Sequence, residues 1–203
     1  MNRSALDKLL AATGLVVAAV LLVASGLLFW ANSFVTHEVR TQLSAQQIFF
    51  PPKGSPALAD PKIKPYLEKY AGQQLTNGEQ ARAYADHFIA VHVAGIGGGK
   101  TYAQLSSAAL ANPADSVLAG KVQSAFRGET LRGLLLDAYA FGKMGQIALW
   151  AAVSAVIAGL GMLVLAGLGL VHANRAAAAA PSASPVKRVT PAGSAPFTEL
   201  AVK

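Results

Sequence analysis

The chain has 203 residues, of which 53% are hydrophobic, and a formal net charge of +7. It contains no cysteine, which excludes a disulfide framework, a thiolate zinc site, an iron–sulfur cluster and a thiol nucleophile. The basic residues form no dense patch with interleaved aromatic residues, so the positive charge does not indicate a protein that binds nucleic acid.

The first predicted element is a long apolar run, Leu9–Trp30, which contains no charged residue. A helix needs about 20 apolar residues to cross the hydrocarbon core of a bilayer, and this run reaches that length. We therefore predict a short N-terminal segment at 1–8 and a transmembrane helix at 9–31. A cleaved signal peptide is the alternative, but the apolar region of a signal peptide usually spans only about 7–15 residues.

The apolar spacing predicts that the first helix continues beyond the membrane. Val35, Val39 and Leu43 recur every four residues, which is the spacing of one face of a helix. The adjacent prolines at 51–52 then end the helix, because proline lacks an amide hydrogen and its ring clashes with the preceding turn. The polar sequence that follows predicts an aqueous helical domain at 32–143.

Three further helices are predicted inside this domain. A short helix is expected at 64–71, and the next begins at Thr76, which fits a capping box together with Glu79. That helix should end in the glycine-rich segment 95–99, because glycine in a helix costs conformational entropy. The last of the three is expected over Thr101–Ala111.

From Ala114 the chain is predicted to be helical without a break into a second apolar run. The outer part of this helix is expected to bury a stripe of apolar residues, namely Val117, Val122, Phe126, Leu131, Leu134, Leu135 and Tyr139. The run Ile147–Val171 contains no charge and predicts a second transmembrane helix at 144–171. The segment 172–203 is rich in Ala, Pro and Ser, cannot bury a core, and predicts a disordered cytoplasmic tail.

The basic residues at the membrane ends predict the orientation of the chain. Arg3 and Lys8 precede the first span and Arg175 follows the second, and such residues are enriched on the cytoplasmic side of a membrane. We therefore predict a plasma-membrane protein with both termini in the cytoplasm and residues 32–143 outside it.

Small residues at helix-packing spacing are the candidate functional positions within the spans. Gly14 and Ala18 predict a contact face on the first span, and Ala151, Ala155 and Gly159 predict one on the second. Small side chains allow two helix backbones to approach closely in lipid. Alanine-rich spans also show such spacing by chance, so this remains an expectation about packing.

A glycine-rich segment, Gly97–Thr101, suggests a nucleotide-binding loop at first sight. The Walker A pattern needs a glycine where this chain has Ala94, and it should follow a strand, whereas a helix is predicted here. We therefore predict no bound nucleotide and interpret the segment as a hinge before a helix that Thr101 caps.

The titratable residues offer weak candidates for a metal site or a proton relay. His87 and His92 are five residues apart and project about 140° apart on a helix, while a metal site needs three or four converging ligands. We therefore predict no metal and no cofactor. Asp137 precedes the second span and could serve a proton relay, but an interfacial charge or a salt bridge, with Arg132 or Lys143, is the simpler interpretation.

Several segments taken together resemble a known family. They are Leu43 to Pro51 with Gln46 and Ile48, Ala83–Asp86 with Ile89 and His92, Gly99–Leu105, and Phe126–Arg132. These segments resemble a family of small two-span actinobacterial membrane proteins of unknown function, over roughly residues 10–170. Members of that family often carry the label of aromatic ring-opening dioxygenase. A non-haem iron site of that kind needs two histidines and a carboxylate around open positions, and the spacing of the histidines here does not provide it.

The sequence therefore predicts an all-α protein with two transmembrane helices and a small extracytoplasmic helical domain between them. We expect a non-enzymatic accessory or scaffolding subunit of a cell-envelope or respiratory membrane complex, in contact with the lipid bilayer. The alternative is an envelope sensor or a module that binds a lipid or a small molecule.

Overall fold

The computed structural model describes residues 3–178, and this part of the chain is all-α, as the sequence predicts. Two long helices dominate it, α1 (Arg3–Ala45) and α6 (Ser116–Ala178). At 1.5 Å per residue they extend for about 65 Å and about 95 Å. Within residues 3–178 the backbone forms no β-strand, only one isolated bridge between Phe49 and Gln74.

We call residues 46–115, which join the two long helices, the connecting layer. Its α-helices are short, namely α2 (Lys64–Leu67), α3 (Gly78–Tyr84), α4 (Ala90–Gly97) and α5 (Tyr102–Ala111). A π-helical turn, Ala85–Ile89, joins α3 to α4, and single 3-10 turns form at Pro56–Leu58 and Glu68–Tyr70. The predicted short helices at 64–71 and 101–111 are thus present.

The two long helices pack side by side and run antiparallel. A Cβ atom added to Gly14 would lie 3.3 Å from Cβ of Ala166, and one added to Gly145 would lie 3.4 Å from Cγ1 of Val35. As the residue number increases along α1, the number of the residue that faces it on α6 therefore decreases. The same register places Trp30 level with Trp150, and both indole side chains are exposed, at 66% and 71%.

This register also aligns the stretches of α1 and α6 that carry no charge. If histidine is counted with the charged residues, the stretch without them runs from Leu9 to Thr36 in α1 and from Met144 to Val171 in α6, and the ends of the two stretches lie at matching heights. Both helices are long and apolar enough to cross a membrane. Only 17% of the most apolar window of α1 and 11% of that of α6 is buried, whereas the core helix of a soluble protein would be mostly buried.

The connecting layer forms one hydrophobic core together with one end of each long helix. Phe50, Leu67 and Leu75 are the largest fully buried side chains of this core. Backbone hydrogen bonds from Phe50 to Gln73 (2.9 Å) and from Leu75 to Ile48 (2.8 Å) clamp the segment after α1 against the loop before α3. Burial of these side chains holds the layer against α1 and α6.

The start of α3 differs by one residue from the prediction. The N-cap is Asn77, whose side chain accepts a hydrogen bond from the amide of Gln80 at 3.0 Å. Gln80 in turn accepts from the amide of Thr76 at 2.8 Å and is buried. The shift brings an amide side chain into the capping interaction and leaves Glu79 free to contact α6.

The buried stripe predicted for the outer part of α6 is also wrong in most positions. Of its members, Leu135 is buried and Val122 and Tyr139 are half-buried, but Val117 and Leu134 are 70% and 62% exposed. The predicted residues lie on several sides of the helix, so all of them could be buried only if other parts of the chain packed around much of its circumference. The connecting layer instead covers a single face, and α1 ends before it reaches this height.

The C-terminal prediction is tested only in part by the described residues. α6 continues past the expected end of the second span at 171 and reaches Ala178. The rest of the predicted disordered tail lies outside the described residues.

Candidate functional site

The contact between α1 and α6 is built from small residues that recur every seven positions. On α6 these small and buried residues are Gly145, Ala152, Gly159, Ala166 and Ala173. On α1 the facing row includes the buried residues Ala11, Gly14, Ala18 and Ser25. Small side chains let two backbones approach closely, which supplies packing energy where lipid offers no hydrophobic driving force.

The predicted packing residues fall at different places around this contact. Gly14, Ala18 and Gly159 are buried in it, Ala155 is half-buried, and Ala151 is exposed. A row in steps of four drifts around a helix, whereas two helices that stay in contact over many turns need a repeat of about 3.5 residues. The buried position on α6 is therefore the residue that follows Ala151.

A cleft of about 460 Å³ that is lined by both apolar and polar residues opens where α1, the start of α3 and α6 meet. We call it the interhelical cleft. Its polar lining includes Thr36, Arg40, Thr76, Glu79, Lys143 and Gln146. These residues come from three distant segments of the sequence, and nothing in their local spacing indicates that they converge, so the sequence prediction did not include this site.

A pair of glycines brings the helices together at the floor of the interhelical cleft. A Cβ atom added to Gly78 would lie 3.0 Å from Cα of Tyr139, and one added to Gly142 would lie 3.6 Å from Cα of Gly78. The backbone of α3 thus touches the backbone of α6. The side chains on either side of this contact form the walls of the cleft.

Lys143 and Glu79 form an ion pair at the mouth of the interhelical cleft. Lys143 also donates a hydrogen bond to Oε1 of Gln146 at 3.0 Å. The hydrogen bond with Glu79 raises the pKa of Lys143 above its ordinary value, so the lysine stays protonated at neutral pH. Both side chains of the pair are about half exposed, so the pair contributes little to the stability of the fold. Its main effect is to fix the positions of these two side chains in the cleft.

A second charged group fixes α3 and the π-helical turn to α6. Asp86 accepts a hydrogen bond from Arg132 at 3.1 Å and lies 3.6 Å from Arg82. Arg82 donates to the hydroxyl of Tyr139 at 2.7 Å and lies over its ring. The predicted salt bridge of Asp137 is not formed with Arg132, which pairs with Asp86, and Asp137 itself is exposed.

The two histidines of the connecting layer have separate surroundings. His87 stacks on Tyr66 with ring centroids 3.5 Å apart, and Nδ1 of His92 contacts the carbonyl oxygen of Phe88 at 2.7 Å. Across residues 3–178 no three His, Cys, Asp or Glu side chains converge on a point that could hold a metal ion. Tyr84 packs against Phe88, with ring centroids 4.7 Å apart, and burial raises the pKa of its hydroxyl.

The glycine-rich segment ends one helix and leads into the next. Gly98 and Gly99 adopt positive φ angles of 59° and 81°, the left-handed conformation that closes α4. Thr101 then accepts a hydrogen bond from the amide of Gln104, whose side chain accepts from the amide of Thr101, so the predicted cap of α5 is confirmed. Lys100 is exposed.

The hairpin formed by α5 and the start of α6 exposes large apolar side chains. Leu110 and Val117, on either side of its turn, are 82% and 70% exposed. Tyr102 and Phe126, whose ring centroids are 5.7 Å apart, are exposed near its other end. We call these four side chains the hairpin patch.

Searches against protein families, curated proteins and solved structures find no match to this chain. The resemblance to small two-span actinobacterial membrane proteins stays a prediction from the sequence.

Proposed function

We propose that this chain is a non-enzymatic integral membrane protein in which α1 and α6 cross the plasma membrane together. The matching heights of their uncharged stretches and of Trp30 and Trp150 support this, because tryptophans are enriched at the membrane–water interface. Arg3, Lys8 and Arg175 flank the other end. By the positive-inside preference both termini are cytoplasmic, and the connecting layer, with the adjoining ends of α1 and α6, forms a small extracytoplasmic domain.

Within this arrangement the chain acts as an accessory or scaffolding subunit of a larger envelope or respiratory membrane complex. The observation that carries this role is the hairpin patch. Val117 precedes Trp150 along one continuous helix, which places it about 50 Å beyond the level of the tryptophans at 1.5 Å per residue. Lipid does not reach that height, and exposed apolar side chains rimmed by polar residues mark protein interaction sites.

The second candidate is an envelope module that binds a lipid or a small molecule. The interhelical cleft favours it, because the cleft is concave and combines charged with neutral polar groups. The two roles are compatible, since the cleft and the hairpin patch are formed by different residues.

Purification in mild detergent tests the subunit role. A partner should co-purify in stoichiometric amount with the wild-type chain and should be lost when Leu110→Ser and Val117→Ser are combined. Lys121→Ser, a change on the first turns of α6 that leaves the apolar residues in place, is the control and should retain the partner. A partner that stays bound to the double variant, or a wild-type chain that purifies alone, would contradict the role.

A further inference from the structure

We propose that the interhelical cleft binds the phosphodiester head group of an anionic phospholipid from the outer leaflet. The proposal deepens the second candidate function and rests on the proposed membrane placement of α1 and α6, but it does not depend on what covers the hairpin patch. It rests on three properties of the cleft, which are its height relative to the membrane, its balance of charge and its supply of neutral hydrogen-bonding groups.

The lower lip of the interhelical cleft lies at the outer edge of the lipid head groups, and the backbones of Lys143 and Arg40 lie about 10 Å and about 15 Å outward from the tryptophans, so these two long side chains must extend back toward the membrane to meet a phosphate. Gln146 precedes Trp150 by one helical turn, and Thr36 follows Trp30 by less than two turns. At 1.5 Å per residue the lower lip of the cleft lies about 6–9 Å outward from the tryptophans. The polar region on each side of a bilayer occupies about 5–8 Å beyond the hydrocarbon core, and tryptophans mark its inner boundary.

The charge inside the interhelical cleft is positive. Arg40 and Lys143 supply two cations and Glu79 supplies one carboxylate. Glu79 is paired with Lys143, while Arg40 has no carboxylate within ion-pair distance among the described residues. An arginine in this position is suited to a phosphate, because its guanidinium can donate two parallel hydrogen bonds to one anion.

The neutral groups of the interhelical cleft suit the rest of a head group. Thr36, Thr76 and Asn77 line it together with the amide of Gln146. Hydroxyl and amide groups can both donate and accept hydrogen bonds, so they match the hydroxyls of a glycerol head group. The acyl chains would lie along the exposed apolar surface of α1 and α6 below the cleft, where Leu27 is 64% and Ile147 is 68% exposed.

Retention of phosphatidylglycerol in lipid nanodiscs or by native mass spectrometry of the full chain tests the site. Arg40→Gln should weaken retention about tenfold, the effect of losing one hydrogen bond to a charged group. Arg40 makes no ion pair in the described structure, so this variant should fold normally, which circular dichroism checks. Phosphatidylcholine, which has no net charge, should be retained poorly by the wild type.

Removal of a negative charge distinguishes lipid binding in the cleft from a general effect of surface charge. Glu79→Gln removes the only carboxylate among the described residues that line the cleft and should strengthen retention of phosphatidylglycerol. Glu129→Gln, which removes a carboxylate that pairs with Arg132 elsewhere on α6, should leave it unchanged. Equal retention by the wild type, Arg40→Gln and Glu79→Gln would overturn the proposal. So would competition by soluble glycerol phosphate at the affinity of the lipid, which would identify a free phosphate as the ligand.

Discussion

Glycines in the outer part of α6 occupy two different environments. A Cβ atom added to Gly128 would overlap Cγ2 of Val93, a buried residue of α4, whereas one added to Gly133 would meet no atom within 4 Å. The absence of a side chain at Gly128 therefore allows α4 to pack closely against α6. Gly133 has no such reason, and it lowers the helical propensity of its segment.

Alanine substitutions at these two positions should change stability in opposite directions. Gly128→Ala should destabilise the fold by about 1–3 kcal/mol, because overpacking displaces a β-branched neighbour that cannot rotate away. Gly133→Ala should stabilise it by about 0.5–1 kcal/mol through helical propensity alone. Thermal unfolding of both variants in the same detergent measures the difference, and a loss of stability in both would refute this account of Gly128.

Residue-scale predictions from the sequence succeeded where the cause is local. The cap at Thr101 involves a side chain three positions away, and both partners are visible in the sequence. The role of Gly128 was not visible, because its partner Val93 is distant in the chain. The one-residue shift at Asn77 arose because the buried side chain of Gln80 binds Thr76, and burial is a tertiary property.

At the scale of helices, α1 and α6 followed from the sequence because the length of an apolar run is a local property. Of the residues predicted to pack, Gly14, Ala18 and Gly159 lie in the contact face, but the repeat of that face did not follow, since it depends on how two helices wrap around each other. The small residues of α6 recur every seven positions along this face. A search of the sequence for small residues spaced four apart identifies Gly159 but misses the buried residue Ala152.

Leucine substitutions should separate the contact face from the rest of α6. A Cβ atom on Gly159 would lie 3.1 Å from Cγ of Leu22 and 3.5 Å from the carbonyl oxygen of Ala18, whereas one on Gly161 would meet nothing within 4 Å. Gly159→Leu should therefore force α1 and α6 apart and cost about 1–3 kcal/mol. Gly161→Leu should be nearly neutral. The measurement is the melting temperature of the monomer in detergent, and equal values for the two variants would count against the α1–α6 contact.

At the scale of the whole molecule, the orientation in the membrane is the property with the widest consequences. The chain contains no cysteine, so a single introduced thiol reports its own location. A cysteine at Lys53, which is exposed in the connecting layer, should react with an impermeant maleimide in intact cells. A cysteine at Ser182 should react only after permeabilisation, and the reverse pattern would contradict cytoplasmic termini.

The interhelical cleft shows why the sequence does not disclose a site at this scale. Arg40, Glu79 and Lys143 each lie in an ordinary polar context along the chain, and only the packing of α1, α3 and α6 against one another brings them together. Such convergence depends on the height at which each helix lies relative to its neighbour. The relative height of neighbouring helices cannot be read from a single sequence.

The continuity of α6 has a mechanical consequence. The helix contains no proline and runs without interruption from Ser116 to Ala178, and sharp kinks in helices arise mainly at prolines or local defects of the hydrogen-bond ladder. In a membrane it would act as a lever with its fulcrum in the bilayer. A small tilt imposed on the C-terminal end of α6 would swing the hairpin patch through a larger arc in the opposite direction, so a force applied at one end of the helix would reach a partner bound at the other.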